Sequence, residues 1–290
     1  MALADSHQII AIKTSLPSGW KTKRDINNQI AGENKSDPKR SSFRVDVFAS
    51  YLGPTRNDMT SARNWLREQG LPWGFTGQVL VPNHEIPRII TELEQRKRAN
   101  ETLYKEFIQK LPSRIEDDKK EGELGGLHNN SDYTASGDLE GKWAFEIMRD
   151  TVPDPQHDVR AGWTHQEQVN WVNDAKKQEE ENFRDATTEL LRRTAKPLKN
   201  MVDRLSVYEG GRQGRFSTKT FIGNVRDVVD TMIAGNLRDD PELESIRREI
   251  VHEICGLEVK ELREDPELRE ETKNKAEKIL NRISAFGADL

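Results

Sequence analysis

The stretch LRRTAKPLKNMVDRL runs from Leu191 to Leu205. Its apolar residues Leu191, Ala195, Leu198, Val202 and Leu205 step by four, three, four and three, which keeps them on one stripe of a helix and lets that stripe pack as a coiled-coil-like seam. The helix is expected to start near Thr164, whose hydroxyl caps it, and to reach about Leu205. Pro197 lies inside it and is expected to kink or split it, because proline lacks the N–H and crowds the preceding turn. Upstream, Ile86, Ile89, Ile90, Leu93, Leu103, Tyr104, Phe107, Ile108 and Leu111 follow similar spacing. They predict a second long helix from His84, ended by Pro112 and roughly 40 Å long at about 1.5 Å per residue. The polar, glycine-bearing residues 117–139 between them read as a mobile loop. Two long antiparallel helices so joined make an extended helical hairpin.

Composition agrees with this reading. Hydrophobic residues are 34% of the 290 and charged residues 33%, a ratio that suits thin helical bundles, which carry much surface per residue. The net charge of −5 argues against a globally basic nucleic-acid binder but leaves a local basic patch open. Cys255 is the single cysteine, so no intrachain disulfide forms, as in a reducing cytosol. No apolar run approaches membrane-spanning length, and the first twenty residues lack a signal-peptide pattern. The expected compartment is cytoplasmic.

The first 83 residues read differently. QIIAIKTSL (Gln8–Leu16) is β-branched and predicts a strand. Lys21–Arg40 reads as a loop or weak helix. SSFRVDVFASYL spaces Phe43, Val47 and Tyr51 helically and predicts a short helix, with another over Asp58–Gln69. LPWGFTGQVLVP gives a turn and a strand over Gln78–Val81, the natural partner of the first strand in a two-stranded ribbon. Further on, EGKWAFEIMRD predicts a short helix before the extended TVPDPQHD. Three glycines in YEGGRQGRFSTKTF break the pattern, after which Ser217 or Thr218 caps a helix to about Ala234.

Two near-repeats close the chain, LRDDPEL (Leu237–Leu243) and LREDPEL (Leu262–Leu268). Each places aspartate (Asp240, Asp265) before proline (Pro241, Pro266) and glutamate (Glu242, Glu267), the order of N-cap, N1 and first helical turn. They read as punctuation for two amphipathic helices, the first carrying Ile246, Ile250, Val251 and Ile254, the second Leu268, Ala276, Ile279, Leu280 and Ile283. The expected fold is mainly α: an elongated helical hairpin or bundle with a small N-terminal α+β module containing a two-stranded ribbon. Its segments are 1–83, 84–206 and 207–290.

Chemistry-bearing patterns are sparse. The histidines form no i, i+4 pair and no HExxH. His157 and His165 with Asp154 and Asp158 make a loose cluster that reads as solvated loop. Cys255 lies on an apolar face and reads as core. Glu258 and Lys260 match the E-x-K of some nucleases, but in a helical context. GGRQGRFSTK fails the phosphate-loop pattern, though Arg212, Arg215 and Lys219 near a helix start are candidate anion contacts. Lys21, Lys23, Arg24, Lys35, Lys39, Arg40 and Arg44 gather early, flanked by Trp20 and Phe43. Of these, Lys21, Lys23, Arg24, Lys39 and Arg40 are the candidate nucleic-acid contacts. Trp20, Trp65 and Trp73 are candidate partner contacts, tryptophan being common at protein interfaces. No catalytic group, metal or cofactor is expected.

Taken in order, LPSGWKTKRDI, LPWGFTGQVLVPNHEI, SDYTASGDLEGKWAFEIMRDTVPDP, RFSTKTFIGNVRDVVD, NLRDDPELESIRREI and LREDPELREE resemble a family of bacteriophages and bacterial mobile elements known as a domain of unknown function. The resemblance covers most of the chain; Thr134 stands where the family usually has proline. It implies a phage or mobile-element origin, with genes often near a MoxR-like AAA+ ATPase and a von Willebrand A protein. The leading expectation is therefore a non-enzymatic interaction or adaptor protein serving an AAA+ ATPase complex in the host cytoplasm. The alternatives are a DNA-binding accessory protein for phage replication or recombination, and a virion structural component. Protein partners are expected, nucleic acid and homo-oligomerisation stay open, and no membrane is involved.

Overall fold

The computed structural model describes residues 3–120, 123–133, 136–152, 164–207 and 222–286. The strands among them are β1 (His7–Ser15), β2 (Trp20–Thr22), β3 (Arg44–Asp46), β4 (Leu71–Pro72), β5 (Val79–Pro82) and β6 (Ala144–Thr151). The helices are α1 (Leu3–Ser6), α2 (Arg24–Glu33), α3 (Gly53–Glu68), α4 (Ile86–Asp118), α5 (Ser136–Glu140), α6 (His165–Val207), α7 (Gly223–Gly235), α8 (Pro241–Ile250), α9 (Val259–Glu264) and α10 (Pro266–Ala285). The protein is mainly α. It divides into two units interleaved along the chain, one of Met1–Ile9, Gln69–Asn83 and Asp150–Leu290, the other of Ile10–Glu68 and His84–Arg149.

β5 lies beside β1, as the sequence leads one to expect, but the sheet is larger than a ribbon. Its order is β4-β5-β1-β6. The two-stranded ribbon is elsewhere: β2 pairs antiparallel with β3, Trp20 opposite Asp46, Lys21 opposite Val45 and Thr22 opposite Arg44. Two expected helices are strands. In FRVDV the deciding period is two, with Val45 and Val47 buried and Arg44 exposed between turns of the chain. Asp46 then accepts from the backbone N–H of Ala49 (2.6 Å) and Ser50, turning the chain where a helix would have continued. In AFEIM, Phe145 is buried while Glu146 and Met148 are exposed, the alternation of a half-buried strand.

The larger-numbered unit is built on α6. Leu190, Leu191, Ala195, Leu198, Met201 and Leu205 are buried against Val225 and Met232 of α7, Ile246 and Ile250 of α8, and Ala276, Ile279 and Ile283 of α10. Val202, expected in the seam, is partly buried beside it. Pro197 neither ends nor splits α6. A helix-interior proline costs about 3 kcal/mol, and the buried leucines on both sides, at about 1.5–3 kcal/mol each, offset it. The N-caps are as expected and share one hydrogen-bond pattern: Asp240 Oδ1 accepts from Glu242 and Leu243 N–H (2.8 and 3.2 Å), Asp265 Oδ1 from Glu267 and Leu268 N–H (2.8 and 3.1 Å). α8 does not continue as α-helix; Val251–Cys255 form a π turn that buries Ile254 and leaves Val251 exposed. Cys255 packs on this core, and burial raises its thiol pKa. Lys260 lies in the first turn of α9, and Glu258 is the extended residue just before that helix.

In the other unit α4 packs on α3. Pro112, expected to end α4, sits within it. Leu111 is buried and Ile115 partly so, in a cluster with Val47, Phe48, Leu52, Tyr104, Phe107 and Leu139. That burial carries the helix through the proline to Asp118. Residues 117 and 118 of the expected loop therefore belong to α4, and Ser136–Leu139 to α5. Gly19 marks a close approach, with φ +72° and a hypothetical Cβ only 2.5 Å from the Ala49 nitrogen. Its carbonyl accepts from Val47 and Phe48 N–H, tying the entry of β2 to the exit of β3.

Candidate functional site

Residues 20–46 carry seven cations against four carboxylates, a local positive excess in a negatively charged chain. Their frame is short. β2 and β3 form the ribbon, α2 follows β2, and Pro38–Arg40 make a 3₁₀ turn before β3. Asn27, buried on α2, holds the frame together. Its Nδ2 donates to Pro38 O (2.9 Å), and its Oδ1 accepts from Ser41 Oγ and Phe43 N–H (both 3.1 Å). Lys23 N–H donates to Phe43 O (3.0 Å). Asp37 caps the 3₁₀ turn by accepting from Lys39 N–H (2.9 Å). The cations therefore ride on backbone fixed by buried polar contacts.

Lys21, Arg24, Lys35, Lys39, Arg40 and Arg44 are exposed, and none makes an ion pair with a described residue. On the helices some cations are paired at helical spacing, as in Lys105–Glu101, Arg192–Glu189, Arg247–Glu244 and Lys275–Glu271, while others, such as Lys176, Lys196 and Lys199 of α6, are exposed and make no ion pair with a described residue either. The acids of residues 20–46 are largely engaged: Asp37 and Asp46 accept from backbone N–H groups, and Glu33 accepts from Gln29 Nε2 (2.9 Å). Trp20 is 46% exposed and, by strand register, shares a face of the ribbon with Arg44.

Lys23 differs from the rest. It is bonded to Asp132 in the segment after α4, and both side chains are mostly buried. That segment is anchored further by Tyr133, whose hydroxyl donates to the buried carboxylate of Asp118. Burial, then that hydrogen bond, holds the Tyr133 phenol above the usual tyrosine range. Arg114 completes the cluster, 2.7 Å from Asp118 and over the Tyr51 ring.

Of the expected contact residues, the fold brings Lys21, Arg24, Lys39, Arg40 and Trp20 into one substructure. Lys23 is committed to Asp132. Trp65 lies on α3 beneath the Arg96 guanidinium, 5.0 Å from it. Trp73 is 4% exposed and set edge-on against Phe183; it is core and no surface contact. Arg212, Arg215 and Lys219, the Ser217 or Thr218 cap, and the cluster around His157 lie outside the described residues. Among the described residues no group of three or more His, Cys, Asp or Glu is placed to hold a metal ion, and no helix is long and apolar enough to cross a membrane. Asn27 is the residue that sequence reasoning passed over, since a buried asparagine in a polar segment leaves no periodic trace. Compared with protein-family models, curated proteins and solved structures, the chain matches none.

Proposed function

We propose that this chain is a non-enzymatic nucleic-acid-binding protein whose β2–β3 ribbon and adjoining turns grip the phosphate backbone, with Trp20 as a stacking platform for an unpaired base. The observation that carries this reading is the set of six exposed cations, Lys21, Arg24, Lys35, Lys39, Arg40 and Arg44, without an ion pair to any described residue. Cations left unpaired meet a polyanion at little cost, whereas paired ones must first give up a carboxylate; by register Arg44 shares the Trp20 face of the ribbon and Lys21 lies on the other. Cationic grooves with an aromatic platform suit single strands, because every base has a π-face to stack.

Fluorescence anisotropy with labelled single- and double-stranded DNA tests it. Binding should weaken with salt, the logarithmic slope being roughly −3 for four phosphate contacts on a single strand. The triple variant Lys21→Glu, Lys39→Glu, Arg40→Glu should abolish it with the fold intact by circular dichroism. Absence of binding at low salt, or binding untouched by the triple variant, overturns the reading.

The adaptor reading has its own observation. Phe75 is 84% exposed at the tip of the turn joining β4 to β5, a turn fixed from inside. Phe75 N–H donates to Gln78 Oε1 (2.9 Å), Gly74 N–H to Asn182 Oδ1 (3.2 Å), and Gly74 and Gly77 take positive φ. A rigid turn presenting one aromatic ring suits insertion into a protein pocket. Co-elution with a purified MoxR-like AAA+ ATPase, lost on Phe75→Ala, is the expected outcome on this reading; no co-elution removes it.

A further inference from the structure

One face of α4 and the chain on either side of residue 140 enclose a recess of about 390 Å³. Tyr104 and Trp143 wall it, their rings 6.4 Å apart and stacked at 27°. Ile108 adds apolar surface, and Glu101, Lys105 and Glu140 stand around the mouth. Most of the lining is carbon, and the volume falls within the ordinary range of small-ligand sites.

The walls are held from behind. The Tyr104 hydroxyl donates to Leu139 O (2.6 Å), the residue before Glu140. Trp143 Nε1 donates to Asn100 Oδ1 (2.9 Å), and Asn100, fully buried, donates Nδ2 to Thr55 O (2.9 Å) and Asp58 Oδ2 (2.8 Å). Both aromatic side chains thus have their polar ends satisfied inside the protein; Tyr104, 3% exposed, backs the recess, and the partly exposed Trp143 ring lines it. Core side chains need no opening to solvent; an opening bounded by rings fixed in this way is preorganised for a ligand.

Charge selects the class of ligand. Glu101 is neutralised by Lys105 at 2.7 Å. Glu140 is exposed and makes no ion pair with a described residue. An aromatic wall with one uncompensated carboxylate at the lip attracts a cation and repels an anion, since the negative face of the partly exposed Trp143 ring adds to the carboxylate. We infer that this recess binds a guanidinium or alkylammonium group, its stem against Ile108 and the rings and its charge toward Glu140. The inference is independent of the nucleic-acid reading, which uses other residues and the opposite charge. Two sources share the chemistry: a free small organic cation, and an arginine or lysine side chain of another polypeptide.

The test is NMR titration of the full chain, following the Trp143 indole N–H, assigned by its loss in Trp143→Phe. The probes are n-butylguanidinium and its uncharged isostere n-butylurea. A saturable shift with the guanidinium, at least about fivefold weaker with the urea, is expected from the cation–π and carboxylate attraction. Glu140→Gln should weaken guanidinium binding by a similar factor without moving the urea. Lys105→Met, which frees Glu101 and removes a competing cation, should strengthen it severalfold. A guanidinium that shifts nothing, a urea that binds as well, or a Glu140→Gln variant that binds as before overturns the inference. Acetyl-Gly-Arg-Gly-amide separates the sources within it. Tighter binding than n-butylguanidinium assigns the recess to a polypeptide side chain, and equal or weaker binding to a free cation.

Discussion

Two buried asparagines each bridge three groups. Asn27 satisfies three groups around the basic turn, and Asn100 satisfies a backbone carbonyl, a carboxylate and an indole. Replacing either with alanine leaves partners that are partly or wholly cut off from water. Each loss should cost about 1–3 kcal/mol, read as a lowered urea midpoint. Asn27→Ala should also weaken DNA binding, because the turn bearing Lys39 and Arg40 loses its tether, while Asn100→Ala should leave DNA binding unchanged. Neither residue was legible beforehand: an asparagine in a polar run has no pattern that separates a buried bridge from a solvated loop. Tyr104 gives a second residue-scale test. Burial, and then the Glu140 carboxylate, push its phenol up to about 12, against roughly 10 in an unfolded chain. The folded state therefore keeps a proton that the unfolded state loses. The resulting stability is fully present below about pH 10 and is lost as pH rises through 12. Tyr104→Phe should flatten the fall in urea midpoint across that window. Tyr133, also raised, should leave part of the slope in place.

Helix starts were the most legible elements, because a cap is local chemistry. Aspartate, proline and glutamate in sequence satisfy free N–H groups whatever the tertiary context, and both repeats do so with distances matching within 0.1 Å. Asp240→Ala and Asp265→Ala should each cost about 1 kcal/mol, with urea midpoints lowered and slopes unchanged. Because the cap hydrogen bonds match while the backbone φ differs, −63° at Asp240 and −107° at Asp265, the two losses should be of the same order, that at the part-buried Asp240 cap being the larger. Helix ends and short strands were less legible, because neighbours decide them. Pro112 and Pro197 carry strong local signals to stop, yet the buried residues around them keep α4 and α6 continuous. β3 and β6 each combine a helix-like four-residue spacing with a two-residue alternation. Pairing with β2 in one case, and a place beside β1 in the other, settles which period counts.

At the scale of the whole chain, the mainly α class follows from composition and the long amphipathic runs, but the division into units does not. The boundary passes through β1 and β6, and the chain leaves each unit and returns to it. Membership depends on pairings between residues far apart, which no window of neighbouring residues contains. The same contrast between local and global applies to charge. A net charge of −5 says that nucleic acid should be repelled, while the excess within residues 20–46 says that it should be held. Screening decides between them, since at about 0.15 M salt the Debye length is near 8 Å. Distant carboxylates are then largely silent, and only cations close to the bound phosphates act. Two double variants with the same change in net charge separate the cases: Lys39→Glu with Arg40→Glu on the basic turn, and Lys196→Glu with Lys199→Glu on α6. At physiological salt the first should cost at least about tenfold in affinity for single-stranded DNA, and the second less than about twofold. Equal losses would mean that total charge governs the interaction and that the ribbon has no special part in it. At about 10 mM salt, where the Debye length reaches about 30 Å, the second variant should begin to lose affinity as well.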